Sequence, residues 1–196
     1  MSEWAQNSNR VKALKDARES DYDRWSRLDS HNPGWVNRVK LAVKFIPDGT
    51  KVLELGAGQA LMRGELGERA YYQPSDIVPH KSDFLVLDLN RHDPIPSGFD
   101  IIVALGVLEY IYDVPLNLDR IAKSAGRTIF TYCCKTESSD VSPRLNQGWL
   151  SDLTAQDVDD AITEAHLKIV NRTVIQETPT FTQIFYVADS LFPPKK

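Results

Sequence analysis

Short apolar runs alternate with amphipathic segments along most of this 196-residue chain. Spacing typical of one buried helix face predicts helices at Gln59–Glu68, Leu116–Ser124 and Thr154–His166. Strands that alternate with helices form βαβ units, so the pattern predicts an α/β fold with a largely parallel sheet. The predicted strands are Lys51–Leu55, Tyr71–Asp76, Phe84–Asp88, Phe99–Leu105, Arg127–Tyr132, Lys168–Ile175 and Thr182–Ala188.

The residues before the first strand are predicted to be helical. A polar, amphipathic stretch from Asn9 to Leu28 predicts one helix, and Trp35 to Phe45 predicts a second. The segment His31-Asn32-Pro33-Gly34 separates them, because proline disfavours helix in the residue before it. Aromatic residues and one possible base in this region could line a binding site, or could simply pack against the sheet. These residues are Tyr22, Trp25, His31 and Trp35.

A glycine-rich turn follows the first strand, in the segment Glu54-Leu55-Gly56-Ala57-Gly58. Gly56 and Gly58 permit a tight turn and a close approach of a ligand to the backbone. The helix that follows offers unpaired N–H groups to that ligand. A dinucleotide-binding fingerprint needs another glycine three positions after Gly58, where this chain has Leu61. The turn therefore argues against a nicotinamide-dependent oxidoreductase.

The segment Glu54–Ala60 resembles the first motif of class I S-adenosylmethionine-dependent methyltransferases, which is acidic-x-Gly-x-Gly-x-Gly. Ala60 replaces its last glycine. The resemblance continues in the same order through the next three strands and covers about residues 48–132. It implies a Rossmann-like sheet of seven strands with an antiparallel last strand. Only about 11 residues separate Asp76 from Asp88, too few for a crossover helix, so we expect a reduced helix between strands 2 and 3.

The resemblance implies S-adenosyl-L-methionine as the cofactor and assigns roles to individual residues. Asp76, about 20 residues beyond Gly56, would accept hydrogen bonds from both ribose hydroxyls. Asp88 would accept a hydrogen bond from the adenine amino group, and the N–H of Leu89 would meet the ring. Either acid could instead cap a strand end or begin a turn. The predicted cofactor-binding residues are Glu54, Gly56, Ala57, Gly58, Asp76, Asp88, Leu89 and Leu105.

Methyl transfer requires an aligned donor and acceptor, and a general base only when the acceptor must lose a proton. The candidate catalytic residues are His31, in a predicted loop, and Glu109 and Tyr110, which follow the fourth strand. A surface histidine, a helix-start acid and a packed ring are the ordinary alternatives. The Asn-Pro-Pro-Tyr motif of amino-group methylases is absent. We therefore expect a small or medium-sized acceptor, with an oxygen atom of a sugar or metabolite as the preferred target.

The segment after the fifth strand, Lys135–Gly148, is rich in serine, and we expect a mobile lid there. Arg144 could pair with an anionic substrate group, but the preferred interpretation is a solvent-exposed side chain. Cys133 and Cys134 are adjacent, so a disulfide between them would be strained. We expect two reduced thiols packed in the core.

The composition narrows the function further. A net charge of −4 and an isoelectric point near 5.6 argue against a nucleic-acid substrate. The chain has neither an apolar run of membrane-spanning length nor a signal peptide, which predicts a cytoplasmic protein without membrane insertion. Two cysteines and four scattered histidines give no metal-site spacing, so no metal is expected.

The length of the chain predicts a single methyltransferase-like domain over residues 1–196. Within it, residues 1–46 are predicted to form part of the acceptor side, and residues 48–190 the cofactor-binding core. The alternative is a catalytically inactive domain of the same fold, acting as an interaction or regulatory module. The sequence leaves the oligomeric state open.

Overall fold

A seven-stranded mixed sheet forms the centre of the fold within the residues that the structure describes. The computed structural model describes residues 3–27, 33–136 and 142–192. The strands are β1 (Lys51–Leu55), β2 (Tyr71–Asp76), β3 (Leu85–Val86), β4 (Ile101–Leu105), β5 (Arg127–Lys135), β6 (Leu167–Glu177) and β7 (Phe181–Ser190). Their order is β3-β2-β1-β4-β5-β7-β6, with β7 antiparallel to both of its neighbours. The predicted Rossmann-like architecture with an antiparallel last strand is confirmed.

Helices cover both faces of this sheet. They are α1 (Glu3–Ala17), α2 (Tyr22–Trp25), α3 (Pro33–Val43), α4 (Leu61–Leu66), α5 (Val114–Ala122), α6 (Ser142–Asn146) and α7 (Ala155–Glu164). The start of α7 is fixed by a capping box, in which Thr154 and Asp157 exchange hydrogen bonds with each other's backbone N–H groups. None of the described helices has both the length and the apolar character of a membrane span.

Successive residues of the central strands enter two different buried layers. Val52 and Val103 pack with residues of α3 and α4, whereas Leu53 and Ile102 pack with residues of α5 and α7. A strand covered on both faces needs apolar side chains at nearly every position. This requirement explains why β1 and β4 appear in the sequence as unbroken apolar runs.

The single helix predicted over Asn9–Leu28 is wrong. Helix α1 ends at Ala17, and Arg18 takes a left-handed conformation with φ of 54°. The next N–H, of Glu19, donates to the Leu14 carbonyl at 3.1 Å and closes the helix end. Asp21 then caps α2, because its side chain accepts a hydrogen bond from the N–H of Arg24. Leu28 lies outside the described residues.

The third strand is shorter than predicted. It contains only Leu85 and Val86, because Asp88 instead caps a 3₁₀ turn over Leu89–Arg91, accepting a hydrogen bond from the N–H of Asn90 at 2.9 Å. Within the described residues, no helix connects β2 to β3, as the short spacing predicted. This side of the sheet is thin, and Val86 is 61% exposed.

The segment after β5 also differs from expectation. The fifth strand continues past Tyr132 to Lys135, so that Cys133 and Cys134 are buried within it as free thiols. Burial raises the pKa of Cys134 to about 12, and raises that of Cys133 further. Part of the expected lid, residues 137–141, lies outside the described residues.

The solvent-exposed interpretation of Arg144 is wrong, because the residue is only 1% exposed. Its guanidinium pairs with Asp152 at 2.6 Å and donates to the carbonyl oxygens of Cys133 at 2.9 Å and Ser151 at 3.1 Å. These contacts attach α6 to the end of β5. Arg144 therefore stabilises the packing of α6 against β5, and each of its three nitrogens already donates a hydrogen bond within the protein.

Candidate functional site

A cavity of about 660 Å³ opens at the carboxyl ends of β1 and β4. These strands are neighbours at the centre of the sheet, with β2 beyond one and β5 beyond the other. The strand order reverses between them, and open α/β sheets bind their ligands at such a point. The cavity is therefore where the topology predicts a binding site.

The glycine-rich turn forms one wall of this cavity. Gly56 has φ of +63°, and a Cβ atom there would lie 2.4 Å from Val107 Cγ2, so no larger residue fits without a shift. The N–H of Gly58 donates to Asp76 Oδ2 at 2.9 Å, which holds the turn against β2. Ala60 has φ of 54°, in the left-handed region that glycine adopts without strain. The position where the motif usually has its last glycine thus keeps the glycine conformation.

Asp76 lies at the end of β2 and lines the cavity. Each carboxylate oxygen accepts one backbone hydrogen bond, Oδ2 from Gly58 and Oδ1 from Ile77 at 2.7 Å. Burial raises the pKa of Asp76, and these hydrogen bonds oppose the rise. The N–H of Val78 also acts on the carboxylate, and since an ionised carboxylate has about four acceptor positions, at least one remains for a ligand hydroxyl.

Glu54 is buried at the end of β1 and accepts a hydrogen bond from the Tyr72 hydroxyl. Burial raises the pKa of Glu54 to about 8, the Tyr72 hydrogen bond opposes the rise, and the nearby charge of Asp76 adds to it. The carboxyl group is therefore largely protonated at neutral pH. A cationic ligand in the cavity would favour its ionised form.

Asp88 is engaged by the N-terminal segment. It is 2% exposed, and its Oδ1 accepts hydrogen bonds from Ser20 Oγ at 2.8 Å and from the N–H of Asn90, while Oδ2 accepts one from the Tyr22 hydroxyl at 2.6 Å. About one of its four acceptor positions is left for a ligand. Leu89 begins the 3₁₀ turn, where N–H groups lack a partner within the turn, and it also lines the cavity.

The other half of the cavity surrounds a 3₁₀ turn over Leu108–Tyr110 that follows β4. Glu109 is 1% exposed, and its Oε1 accepts a hydrogen bond from the N–H of Cys133 at 2.9 Å. Its Oε2 is buried and has no hydrogen-bond partner among the described residues. Burial raises the pKa of Glu109, whereas the positive charge of Arg38 opposes the rise.

Aromatic rings form the walls of this second half. Trp25 meets Tyr110 edge-on with ring centroids 4.7 Å apart, and Trp149 meets Phe181 similarly at 5.3 Å. Burial raises the pKa of Tyr110 to about 12, so its hydroxyl stays protonated at neutral pH and can donate a hydrogen bond. Of the three predicted catalytic candidates, Glu109 and Tyr110 line the cavity, and His31 lies outside the described residues.

Arg24 on α2 and Arg38 on α3 are among the cavity residues that were not predicted from the sequence. Both lie in polar, amphipathic segments, where an arginine usually faces solvent. No local pattern distinguishes them from the other arginines of the chain. Their position depends on long-range packing, which sets α2 beside Tyr110 and α3 against the sheet.

No protein-family model and no curated protein sequence matches this chain. Solved structures do match its fold. Magnesium protoporphyrin IX methyltransferase from Synechocystis PCC 6803, with bound S-adenosylhomocysteine, is 16% identical. That match covers 86% of this chain and 93% of that chain, with a TM-score of 0.61.

Two further matches have similar quality. The protein in complex with the Haloferax volcanii Trm112 methyltransferase activator is 16% identical; the match covers 97% of this chain and 98% of that chain, with a TM-score of 0.63. The cyclase SpnF is 13% identical, with 79% and 80% of the two chains covered and a TM-score of 0.62. At such identities the likeness concerns the fold, and this chain has the class I methyltransferase fold.

Proposed function

We propose that this protein is an S-adenosylmethionine-dependent methyltransferase that acts on a small or medium-sized acceptor. The observation that carries the proposal is one continuous cavity with two chemically different halves. Gly56, Gly58 and Asp76 line one half, and Glu109 and Tyr110 line the other. Its volume of about 660 Å³ lies within the usual range for small-molecule sites, roughly 300–1,000 Å³.

The first half has groups suited to each part of the cofactor. Asp76 would hold the ribose, Asp88 and the N–H of Leu89 the adenine edge, and Gly56 and Leu105 the methionine portion. When bound, S-adenosylmethionine supplies a methyl group already activated by the sulfonium charge. The chain itself must align the acceptor and exclude water. We further propose that residues 1–46 form part of the acceptor side, because described residues of that segment line the second half of the cavity.

Glu109 is the group that we assign to remove the acceptor proton. An acceptor hydroxyl that attacks the methyl carbon must lose its proton, while the electrons of the broken carbon–sulfur bond remain on sulfur. Glu109 Oε2 is buried, lacks a partner among the described residues and can take that proton. Tyr110, which stays protonated, is better suited to donate a hydrogen bond to the acceptor.

The proposal is tested first by calorimetric titration with S-adenosylhomocysteine, with NADH as the control ligand. Micromolar binding of the first and no binding of the second would support the donor site. If neither ligand binds, the result would instead support the inactive interaction module. The fold alone does not separate these two interpretations, because its matches include a cyclase and a protein bound to an activator.

Substitution Asp76→Ala is expected to weaken S-adenosylhomocysteine binding by about 1–3 kcal/mol, roughly 5- to 150-fold, because the ribose loses its acceptor. Calorimetry of the variant measures the change. Asp83→Ala is the matched control, since the exposed carboxylate of Asp83 forms a surface ion pair with Arg63. An Asp76→Ala variant that binds as tightly as the Asp83→Ala variant would contradict the ribose assignment.

Cofactor binding is expected to depend on the ionisation of Glu54, whose pKa is about 8. The cationic cofactor favours the carboxylate, so binding should release a proton, and affinity should rise as pH increases from about 6 to about 8 and level off above. Calorimetry in two buffers of different ionisation enthalpy measures the released proton. Glu54→Gln should remove this component. Equal proton release by wild type and variant would assign the titration to another group.

Substitution Glu109→Gln is expected to lower kcat by about 10²–10⁴-fold, the usual contribution of a general base. In the wild type, activity should fall as pH decreases through the raised pKa of Glu109, because the base must be ionised. That acid limb should disappear in the variant, while affinity for S-adenosylhomocysteine stays the same. The measurement is kcat against pH for an acceptor found by radiolabelled methyl transfer. A variant with unchanged kcat would exclude Glu109 as the base.

A further inference from the structure

Two arginines in the cavity differ from most other arginines that the structure describes. Among the described residues, Arg24 and Arg38 have no ion-pair partner, and the buried Arg38 Nε has no hydrogen-bond acceptor. Seven other described arginines each pair with an aspartate. They are Arg10, Arg27, Arg63, Arg69, Arg127, Arg144 and Arg172.

Both unpaired guanidinium groups lie against a glycine that leaves room for them. The two terminal nitrogens of Arg38 are 3.0 Å from the place that a Cβ of Gly106 would occupy. Arg24 Nη1 is likewise 2.9 Å from the place that a Cβ of Gly148 would occupy. Gly106 and Gly148 have φ of +72° and +79°, so each chain bend already disfavours a larger residue. The space left by the missing Cβ atoms of these two glycines is occupied by the guanidinium groups that line the cavity.

The two cations belong to the same half of the cavity. Arg24 lies over the Tyr110 ring, with its guanidinium carbon 5.9 Å from the centroid. The positive charge of Arg38 acts to lower the pKa of Glu109 against the effect of burial, and Glu109 directly precedes Tyr110 in the same 3₁₀ turn. Both arginines therefore face the half that we assign to the acceptor.

The carboxyl groups near these arginines do not supply a counterion. Asp21, which caps α2, forms its ion pair with Arg10. Among the described residues Glu109 forms no salt bridge with Arg38, although the charge of Arg38 opposes the rise that burial causes in the pKa of Glu109. Partial burial without a counterion is unfavourable for a cation, and an anionic ligand would reduce that penalty.

We propose that Arg24 and Arg38 together bind an anionic group, a carboxylate or a phosphate, on the methyl acceptor. This inference rests on the proposed function, because it places the anion beside the methyl-donor half of the cavity. Guanidinium groups match the geometry of both anions through paired hydrogen bonds. The nearby Trp25 and Trp35 rings and the amide of Gln147 suit a flat or hydroxylated body. The acceptor class is therefore a hydroxylated, anionic small molecule.

The test uses the full chain saturated with S-adenosylhomocysteine, so that the cofactor's own carboxylate is already bound. Calorimetry at constant ionic strength would compare 4-hydroxybenzoate, uncharged 4-hydroxybenzamide and inorganic phosphate. We expect saturable binding of at least one anion and at least about tenfold weaker binding of the amide. A preference for 4-hydroxybenzoate indicates a carboxylate acceptor, and a preference for phosphate indicates a phosphorylated one.

Arg24→Gln and Arg38→Gln should each weaken anion binding by about tenfold or more and leave affinity for S-adenosylhomocysteine unchanged. Arg27→Gln is the matched control, because Arg27 borders the same cavity but is exposed and paired with Asp23. Thermal unfolding checks that each variant folds. Arg24→Lys and Arg38→Lys keep the charge and lose the planar fork, so they should bind the anions with intermediate affinity.

Several outcomes would overturn the anion site. The first is equal binding of 4-hydroxybenzoate and 4-hydroxybenzamide, and the second is no binding of any probe to the protein loaded with S-adenosylhomocysteine. The third is a loss of anion binding in Arg27→Gln as large as that in Arg24→Gln or Arg38→Gln. Loss of S-adenosylhomocysteine affinity in Arg38→Gln would assign that residue to the cofactor and also overturn the two-arginine site. Failure of the wild type to bind S-adenosylhomocysteine refutes the proposed function itself, and this is seen before any probe is added.

Discussion

Replacing Gly56 by alanine is expected to lower the free energy of unfolding by about 2–5 kcal/mol and to abolish measurable binding of S-adenosylhomocysteine. The left-handed conformation, with φ of +63°, is unfavourable by about 1–2 kcal/mol for any residue with a Cβ. The new Cβ would also meet Val107 Cγ2 at 2.4 Å, and such overpacking costs about 1–3 kcal/mol more. Val107 and Gly56 both line the cavity, so any relief of the clash changes the cofactor wall.

The chain offers two matched controls for this prediction. Gly58 has φ of +52°, but nothing lies within 4 Å of the place for its Cβ, so Gly58→Ala should show the conformational strain alone. The double variant Gly56→Ala/Val107→Ala should regain the part of the loss that comes from the clash. Denaturant unfolding measures the free energy of unfolding of each variant, and calorimetry measures its affinity for S-adenosylhomocysteine. Equal destabilisation by Gly56→Ala and Gly58→Ala would show that the Val107 contact has no energetic weight.

Substitution Arg144→Met is expected to lower the free energy of unfolding by about 2–4 kcal/mol, because two buried carbonyl oxygens lose a charged donor, while Asp152 keeps its ion pair with Lys15. The variant loses the 2.6 Å contact with Asp152 and leaves the carbonyl oxygens of Cys133 and Ser151 without this donor. It also removes the guanidinium that lies 4.6 Å above the Trp149 ring, which forms part of the cavity wall. Urea unfolding measures the loss.

Arg172→Met is the appropriate comparison for Arg144→Met. Arg172 also pairs with an aspartate, Asp159 at 3.1 Å, but both side chains remain partly exposed to solvent. A surface pair of this kind contributes about 0–1 kcal/mol. A similar loss in both variants would mean that the burial of Arg144 adds nothing to stability. A large loss confined to Arg144→Met would support its role as the anchor of α6.

Much of the donor half of the site was predictable, because its residues lie at the ends of strands and in one glycine turn. The segment Glu54–Gly58 is local in sequence, and the apolar run before it determines where the turn falls. Asp76 ends the neighbouring strand, so a parallel pairing with β1 necessarily brings it to the turn. The short connection before Asp88 likewise predicted the reduced helix from chain length alone.

The contacts that the N-terminal segment and the buried arginine make were not predictable in this way. Asp88 is bound by Ser20 and Tyr22, residues that precede it by 68 and 66 positions. Arg24 and Arg144 both occur in polar segments of the sequence, yet Arg24 lines the cavity with no ion-pair partner among the described residues, whereas Arg144 is buried and paired with Asp152. Residue type and neighbours in the chain do not distinguish these outcomes.

The amino-acid sequence by itself therefore determined the α/β architecture, the strand ends and the glycine turn of this protein. These features follow from hydrophobic periodicity and backbone sterics, which act between residues close in the chain. Only the tertiary structure decided which charged side chains face the cavity, because the long-range packing of α2 and α3 selects among chemically equivalent arginines. Burial and the position of each counterion then decide whether such an arginine supports the fold or remains available to a ligand.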